Sequence, residues 1–477
     1  MRATIPTQGR TKEDVLGELD QFAADDVDYA HGKTWSLVYW PGDAHYDLVS
    51  AANLRLLSAN GLNPMAFKST KRVETDVVQM TAELLHGPAS TVGTMTSGGT
   101  ESLLCAVIAA RERARAKWPW IRRPNIVIGE TVHPAVDKAA HWFGVAIKRV
   151  PVDADGRAPA AGFRRKIDRN TVLVIASAPS YPWGVVDPIP EIAALAKSKG
   201  LPCHVDACFG GFILPWLERL GVAMPLWDFR VDGVTSISAD LHKYGYAPKG
   251  ASVILYRDMS YLRHQFFVAT HWKGGVYASP TVAGTRPGGP MAAAWASLVG
   301  MGEDGFLSRA KEAWDGAEAL RKGLRAIPGL RILGLPHSTI VAYASSDPDV
   351  DLYAVADLLE AGGWSVDRQQ APPSLHCTVN AANGPVIDKY LADVRAAVDA
   401  VRADPSLATK GNAAVYGLLS AVPLTSVSER AIRDVMAGMY APGDAKESGP
   451  PGGPMVERAA RAVKRARDAW RSVAGSR

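Results

Sequence analysis

Between residues 95 and 257, short β-branched and apolar runs alternate with stretches whose apolar positions recur every three or four residues. The runs Asn125–Gly129, Thr171–Ala178, Leu201–Ala207, Gly233–Ala239 and Gly250–Arg257 predict strands, and Pro134–Phe143 and Pro190–Ser198 predict helices between them. Such alternation predicts an α/β fold: a mainly parallel sheet covered on both faces, with ligands bound outside the carboxyl ends of the strands. Chemistry is therefore expected at strand ends and in the loops that follow them.

A Gly/Pro-rich stretch, Tyr277 to Met291, breaks the pattern and reads as a crossing between domains, followed by a long helix through Leu298 to Leu324. From Gly329 to about Pro405, strands at Ile332–Leu333, Ser338–Ala344 and Ser374–Val379 mix with helices at Leu352–Ala361 and Val386–Val401. This suits a smaller C-terminal α/β domain. The expected division is an N-terminal segment 1–56, a large domain 57–295, a small domain 296–440, and a Gly/Pro linker with a basic tail 441–477. The helical pattern of Met455–Arg477, with Arg458, Arg461, Lys464, Arg465, Arg467 and Arg471, reads as a solvated helix and leaves room for contact with an anionic surface.

Composition narrows the class. A chain of 477 residues that is 47% hydrophobic can bury a sizeable core. Its 53 basic against 48 acidic residues argue little for a nucleic-acid partner and suit an anionic small substrate equally well. The four cysteines, Cys105, Cys203, Cys208 and Cys377, form neither a CxxC pair nor a metal-ligand array, and read as buried thiols in a reducing compartment. Met1 to Val15 lacks a secretory core, and the longest uncharged stretch, Gly411 to Ser428, falls short of the ~20 apolar residues of a spanning helix. A soluble, cytoplasmic protein without a metal is expected, with peripheral membrane contact left open.

Four features can carry chemistry. Lys243 follows the strand Gly233–Ala239, and a strand-end lysine can reach a ligand in the crevice. To form an imine its amine must be neutral part of the time, which burial and the neighbouring His242 and Lys249 would favour by lowering its pKa. Thr96-Ser97-Gly98-Gly99-Thr100-Glu101-Ser102 precedes a helix-periodic run, and glycines there let backbone amides and the helix dipole approach a phosphate. It lacks the Gly-Lys-Ser/Thr ending of a P-loop, which disfavours nucleotide triphosphate hydrolysis. Asp206, in His204-Val205-Asp206-Ala207, ends an apolar strand and suits the pyridine nitrogen of pyridoxal 5′-phosphate (PLP). His133, just beyond Asn125–Gly129, can stack on such a ring. Singly, each has a bland reading: a solvated lysine, a capped turn, a strand-end Asp, a structural histidine. Their chain order is the one a PLP site requires.

These residues resemble the fold-type I PLP-dependent transferase-like enzymes, and within them the group II decarboxylase-like branch, where a histidine precedes the Schiff-base lysine. The chain is most similar to the sphingosine-1-phosphate lyase family. The likeness runs through Thr96–Ser102, Ser180–Pro188, His204–Ala207, Ser236–Gly250, Tyr277–Gly288 and Gly411–Gly417, and covers roughly residues 30 to 440. The segments Lys243–Gly250 and Gly284–Gly288 point to the lyases in particular.

The resemblance implies a homodimer with shared active sites. It implies that Gly99 and Thr100 bind the cofactor phosphate with Ser238 and His242, that His133 stacks on the ring, that Asp206 meets its nitrogen, and that Lys243 forms the Schiff base. Tyr39, Asn60, Lys249 and Thr285 would then lie near a substrate phosphate and amino-alcohol head, several of them from the partner subunit, with Tyr181 near the reacting carbon. Asn63 stands where the family usually has a histidine that helps hold the phosphate, and it never carries charge. The family's eukaryotic members carry an N-terminal membrane anchor that this chain is expected to lack. The implied activity is PLP-dependent cleavage of a phosphorylated long-chain base at C2–C3 into a fatty aldehyde and phosphoethanolamine. Lys243 and Tyr181 are both candidates for proton transfer. The rival expectations are a PLP-dependent amino-acid decarboxylase using the same Lys243, Asp206 and His133, and a non-catalytic binding scaffold.

Overall fold

The computed structural model describes residues 4–421 together with 429, 432–434, 436–438 and 440. The linker and basic tail expected after residue 441 lie outside the described residues.

Seven strands form the main sheet: β1 (Val92–Thr96), β2 (Asn125–Gly129), β3 (Ala146–Val150), β4 (Thr171–Ser177), β5 (Cys203–Asp206), β6 (Val234–Ala239) and β7 (Ser252–Tyr256). Their order is β1-β7-β6-β5-β4-β2-β3, and only β7 runs antiparallel to its neighbours. Every residue of β2, β4, β5, β6 and β7 is buried, which is why continuous apolar runs rather than alternating ones marked them in the sequence. Val127, Val174, Val205 and Ile237 pack into the core on one face, and Ile126, Ile128 and Ile175 pack on the other with Leu103, Leu104 and Val107.

Register decides where chemistry sits. Ser177 pairs with Asp206, and Asp206 with Ser238, so the three polar residues lie side by side at the carboxyl edge. The 19-residue helix Gly99–Lys117 starts directly beyond β1, with its amino end at the same edge.

A second, antiparallel sheet of order β10-β11-β13-β12 is built from β10 (Leu330–Ile332), β11 (Ile340–Ser345), β12 (Asp367–Gln370) and β13 (Pro373–Thr378). Trp35, from the N-terminal segment, is fully buried in its core, with its ring 4.4 Å from Tyr390 and 6.1 Å from Trp364. Residues 35–40 take no regular secondary structure, and the segment is anchored by a bridge between Thr34 and Ser365.

The Gly/Pro-rich stretch differs from its sequence reading. Tyr277–Ser279 belongs to β9 (Gly275–Ser279), paired with β8 (Phe267–Trp272) in a separate hairpin, and the long helix already begins at Gly288 and runs to Arg325. That helix packs on both sheets' layers and turns at Gly302, whose φ of 62° and ψ of 174° only glycine adopts freely. Strands β1, β3 and β12 carried no clear signal, because β3 is a half-exposed edge strand and β12 reads Asp-Arg-Gln-Gln. No helix among the described residues is long and apolar enough to cross a membrane.

Candidate active site

A cavity of about 510 Å³ opens at the carboxyl edge of the main sheet. Tyr39, Gly99, Thr100, His133, Tyr181, Asp206, His242, Lys243 and Lys249 all line it, although they come from six separate stretches of chain. The strand ends supply Asp206 and the loop with Lys243, the helix start supplies Gly99 and Thr100, and the N-terminal segment supplies Tyr39.

The wall around the lysine is charged. Lys243 Nζ lies 3.0 Å from Asp240 Oδ2, and His242 Nε2 lies 3.5 Å from the same oxygen. Asp240 is buried, and Ser252 Oγ donates to its Oδ1 at 2.6 Å. Asp206 Oδ1 accepts from the Cys208 amide at 3.1 Å. Ser238 sits one layer behind, its hydroxyl 3.2 Å from both His204 Nε2 and Cys208 Sγ. Gly99 is required by space: a Cβ there would lie 2.8 Å from Asp240 Oδ2 and from Cys208 Sγ. His133 is exposed at the rim, and its Nδ1 accepts from the Ala135 amide at 3.1 Å. At the other end, Lys249 Nζ lies 5.6 Å from the centre of the Tyr39 ring, within cation–π range.

Among the described residues, two buried polar atoms of the lining lack a partner, Nδ1 of His242 and Oγ1 of Thr378. An orphaned imidazole nitrogen, a helix amino terminus that favours anions, a buried carboxylate and a lysine share one cavity, and this donor set suits a ligand carrying a phosphate, a basic ring nitrogen and an aldehyde.

The model of the pyridoxal-dependent decarboxylase conserved domain matches residues 42–332. The sphingosine-1-phosphate lyase of Arabidopsis thaliana is 40% identical over 444 residues, covering 91% of this chain and 81% of that protein. Sphingosine-1-phosphate lyase 1 of Rattus norvegicus is 40% identical over 421 residues, covering 88% and 73%. The solved structure of a Burkholderia pseudomallei sphingosine-1-phosphate lyase superposes with a TM-score of 0.83 at 36% identity, covering 92% of this chain and 97% of that one.

The chain belongs to the sphingosine-1-phosphate lyase family.

As a member of that family it has the fold-type I architecture expected from its sequence, and PLP is its cofactor. Two electrostatic expectations are corrected. Burial does oppose charge on Lys243, but Asp240 at 3.0 Å outweighs it and holds the ammonium above the ordinary lysine range. His242 is not a neighbouring cation, because burial pushes its pKa down. Lys249 behaves as a tuned charge: although much of it is open to solvent, burial of its ammonium and then repulsion from Lys243 push it down to about 8.

Three expected substrate residues of this lyase-family chain do not line the cavity. Asn60, Asn63 and Thr285 gather elsewhere, where Asn60 bridges Pro287 and the Gly61 amide donates to the Arg286 carbonyl at 2.8 Å. Asn63 Oδ1 accepts from the amides of Met65 and Ala66 at 3.0 and 3.2 Å, capping its own turn. Asp240 went unassigned in the sequence, though its place three residues before Lys243 was a signal. Asp367 and His376 of the small sheet left none, because only tertiary pairing brings them to Tyr181.

Proposed function

We propose that this protein cleaves phosphorylated long-chain bases of the sphingosine 1-phosphate type between C2 and C3, releasing a fatty aldehyde and phosphoethanolamine. The observation that carries the reading is the cation Lys249 beside Tyr39 in the cavity that also holds Lys243 and Asp206, since a simple amino-acid decarboxylase has no need of a second, tuned cation at the substrate end. When bound, PLP supplies an electron sink for the pair released from the breaking bond.

In this reading Lys243 would hold the cofactor aldehyde and Asp206 would keep a proton on the ring nitrogen. His133, at the rim, would pack against the ring. Gly99 and Thr100 would hold the phosphate through the helix amino end, with His242 Nδ1 gaining the partner it lacks and Ser238 fixing the wall through Cys208 and Asp206. Lys249 neutralises the substrate phosphate while Tyr39 orients it. Tyr181 stands over the reacting end.

We further propose a homodimer in the cytoplasm in which Asn60, Asn63 and Thr285 of one copy complete the site of the other, with the membrane approached only peripherally when lipid is taken up. The hairpin β8–β9 supports this. A two-stranded hairpin is not stable alone, yet Phe267, Val268, Trp272 and Val276 are each about three-fifths exposed or more. The hairpin flanks a cleft shared with Gly61, Leu62 and Pro64, next to Asn60 and Asn63.

The test is incubation with sphingosine 1-phosphate and, separately, with a panel of amino acids, trapping aldehyde and carbon dioxide. Aldehyde from the lipid is the expected product; carbon dioxide without aldehyde would sink the reading in favour of a decarboxylase. Borohydride reduction and peptide mapping should find a pyridoxyl group on Lys243, and its absence would remove the assignment of that lysine.

A further inference from the structure

Tyr181 reaches the cavity from the large sheet's side, where its ring meets the edge of His133 at 6.4 Å, but the hydrogen bond and the stacked ring that fix it belong to the small sheet. Its hydroxyl donates to Asp367 Oδ2 at 2.8 Å. Its ring lies on His376 with centres 4.3 Å apart and planes 30° from parallel, and His376 Nε2 donates to the Tyr181 carbonyl at 3.0 Å. Asp367 and His376 are partners in the β12–β13 register, which sets the two side chains next to one another. Ser36 Oγ donates to the other carboxylate oxygen of Asp367 at 3.0 Å, and Gln369 Nε2 donates to the Pro182 carbonyl at 2.9 Å. The phenol therefore stands between the cavity and a carboxylate held on both of its oxygens.

That placement limits what Tyr181 can do. Burial, and then the negative charge of Asp367, hold the phenol well above the ordinary tyrosine range, so a free phenolate does not form there; Lys243 offsets this only in part, and Cys377 adds to it. Its proton, however, already points at Asp367 Oδ2, which leaves a lone pair of the phenol oxygen free to accept from the cavity. His376 completes the arrangement. Because its Nε2 donates to a carbonyl, its Nδ1 is the unprotonated nitrogen; it is fully buried, has no partner, and lies 3.8 Å from Asp367 Oδ2. Burial keeps this imidazole neutral. It is an acceptor without a donor until Asp367 carries a proton.

We propose that Asp367, backed by His376, is a positioning residue that makes Tyr181 the group that takes the C3 hydroxyl proton, the phenol oxygen accepting that proton as it passes its own to Asp367 Oδ2. The proposal rests on the lyase reading given above and deepens it. As the O–H bond breaks, the C3–O bond becomes the aldehyde carbonyl and the C2–C3 bond breaks, its electron pair being the one that bound PLP would take up. Tyr181 ends as it began, a neutral phenol. Asp367 ends protonated, shared toward His376 Nδ1, and returns the proton to solvent through a side chain that is 32% exposed. In this reading Lys243 would be engaged with the cofactor aldehyde, and without cofactor its ammonium is paired with Asp240. Cleavage then requires the two sheets to be together, since the proton enters on a residue of one and leaves on a residue of the other.

The test has two arms. Without substrate, the phenol of Tyr181 is followed by NMR in protein labelled at the tyrosine ring carbon, with Tyr181→Phe used to assign the signal. Asp367→Asn keeps the shape and the acceptor for Ser36 but removes the charge, so the Tyr181 titration should move to lower pH; an unchanged titration overturns the proposal. With substrate, Asp367→Asn should lower kcat by about the factor that Tyr181→Phe does, in the range of roughly 10²–10⁴ for a lost proton-transfer group, and leave KM unchanged. The double variant should be no slower than either single one. Losses that multiply in the double variant mean that Asp367 does not act through Tyr181, and overturn the relay. If wild-type protein releases no aldehyde from the lipid, the lyase reading itself fails, and the substrate-free titration still decides whether Asp367 governs Tyr181.

Discussion

Lys249→Ala tests the phosphate end of the site. In the wild type a single ammonium faces the expected phosphate, and a hydrogen bond to a charged group contributes about 1.5–3 kcal/mol. Because Lys249 is largely open to solvent, screening favours the lower part of that range. A loss of about 1.5–2 kcal/mol corresponds to roughly 10- to 30-fold in kcat/KM for a phosphorylated base, since ~1.4 kcal/mol is tenfold. The dephosphorylated base, which never used the ammonium, should lose almost nothing. The pH dependence sharpens the expectation. Only the ammonium form attracts phosphate, and Lys249 gives up its proton at about 8 in the empty site. The phosphate monoester completes its own ionisation near pH 6. Preference for the phosphorylated base should therefore be greatest between about pH 6 and pH 8 and decline above that. In Lys249→Arg the decline should vanish, because a guanidinium stays charged. The assay is aldehyde release from paired phosphorylated and dephosphorylated bases across pH. If wild type and Lys249→Ala discriminate equally between the two, the reasoning is refuted.

Asp240→Asn should lower the pKa of Lys243, because attraction across 3.0 Å amounts to about 5 kcal/mol at an effective dielectric of 20 and the opposing burial would then meet only the weaker attractions of Cys208 and Asp206; lysine-selective ¹⁵N NMR reads this directly, and an unmoved signal would contradict it. His204 is fully buried between the hydroxyls of Ser236 and Ser238, and burial pushes it down to about 4. Its folded pKa lies below its unfolded one, so the unfolded chain binds the extra proton between pH 6.5 and 4. Stability is full above about pH 6.5 and drains away on acidification, by roughly 3 kcal/mol from this residue. Urea melts at pH 4.5 and 7 should show a smaller pH difference in His204→Gln than in wild type, and an equal difference would count against the burial argument.

The sequence by itself determined the parallel core and the chemistry carried at its edge. The fully buried strands β2, β4, β5, β6 and β7 must be apolar along their whole length, so they announced themselves, and in a parallel sheet all strand ends that bear ligands fall on one side. Asp206, Lys243 and Gly99 were legible for that reason. Edge and polar strands were not, because β3 and β12 bury too little for composition to constrain them.

Only the tertiary structure decided the electrostatics. The Asp240–Lys243 pair reverses the direction that burial alone suggested, since Coulomb attraction depends on a distance that no pattern of residues encodes. It likewise joined Tyr181 to Asp367, 186 residues away in the chain, and kept Asn60, Asn63 and Thr285 out of the cavity lining. Local spacing fixes which face or edge a residue occupies; which residue meets it there is settled by the packing of one sheet against the other.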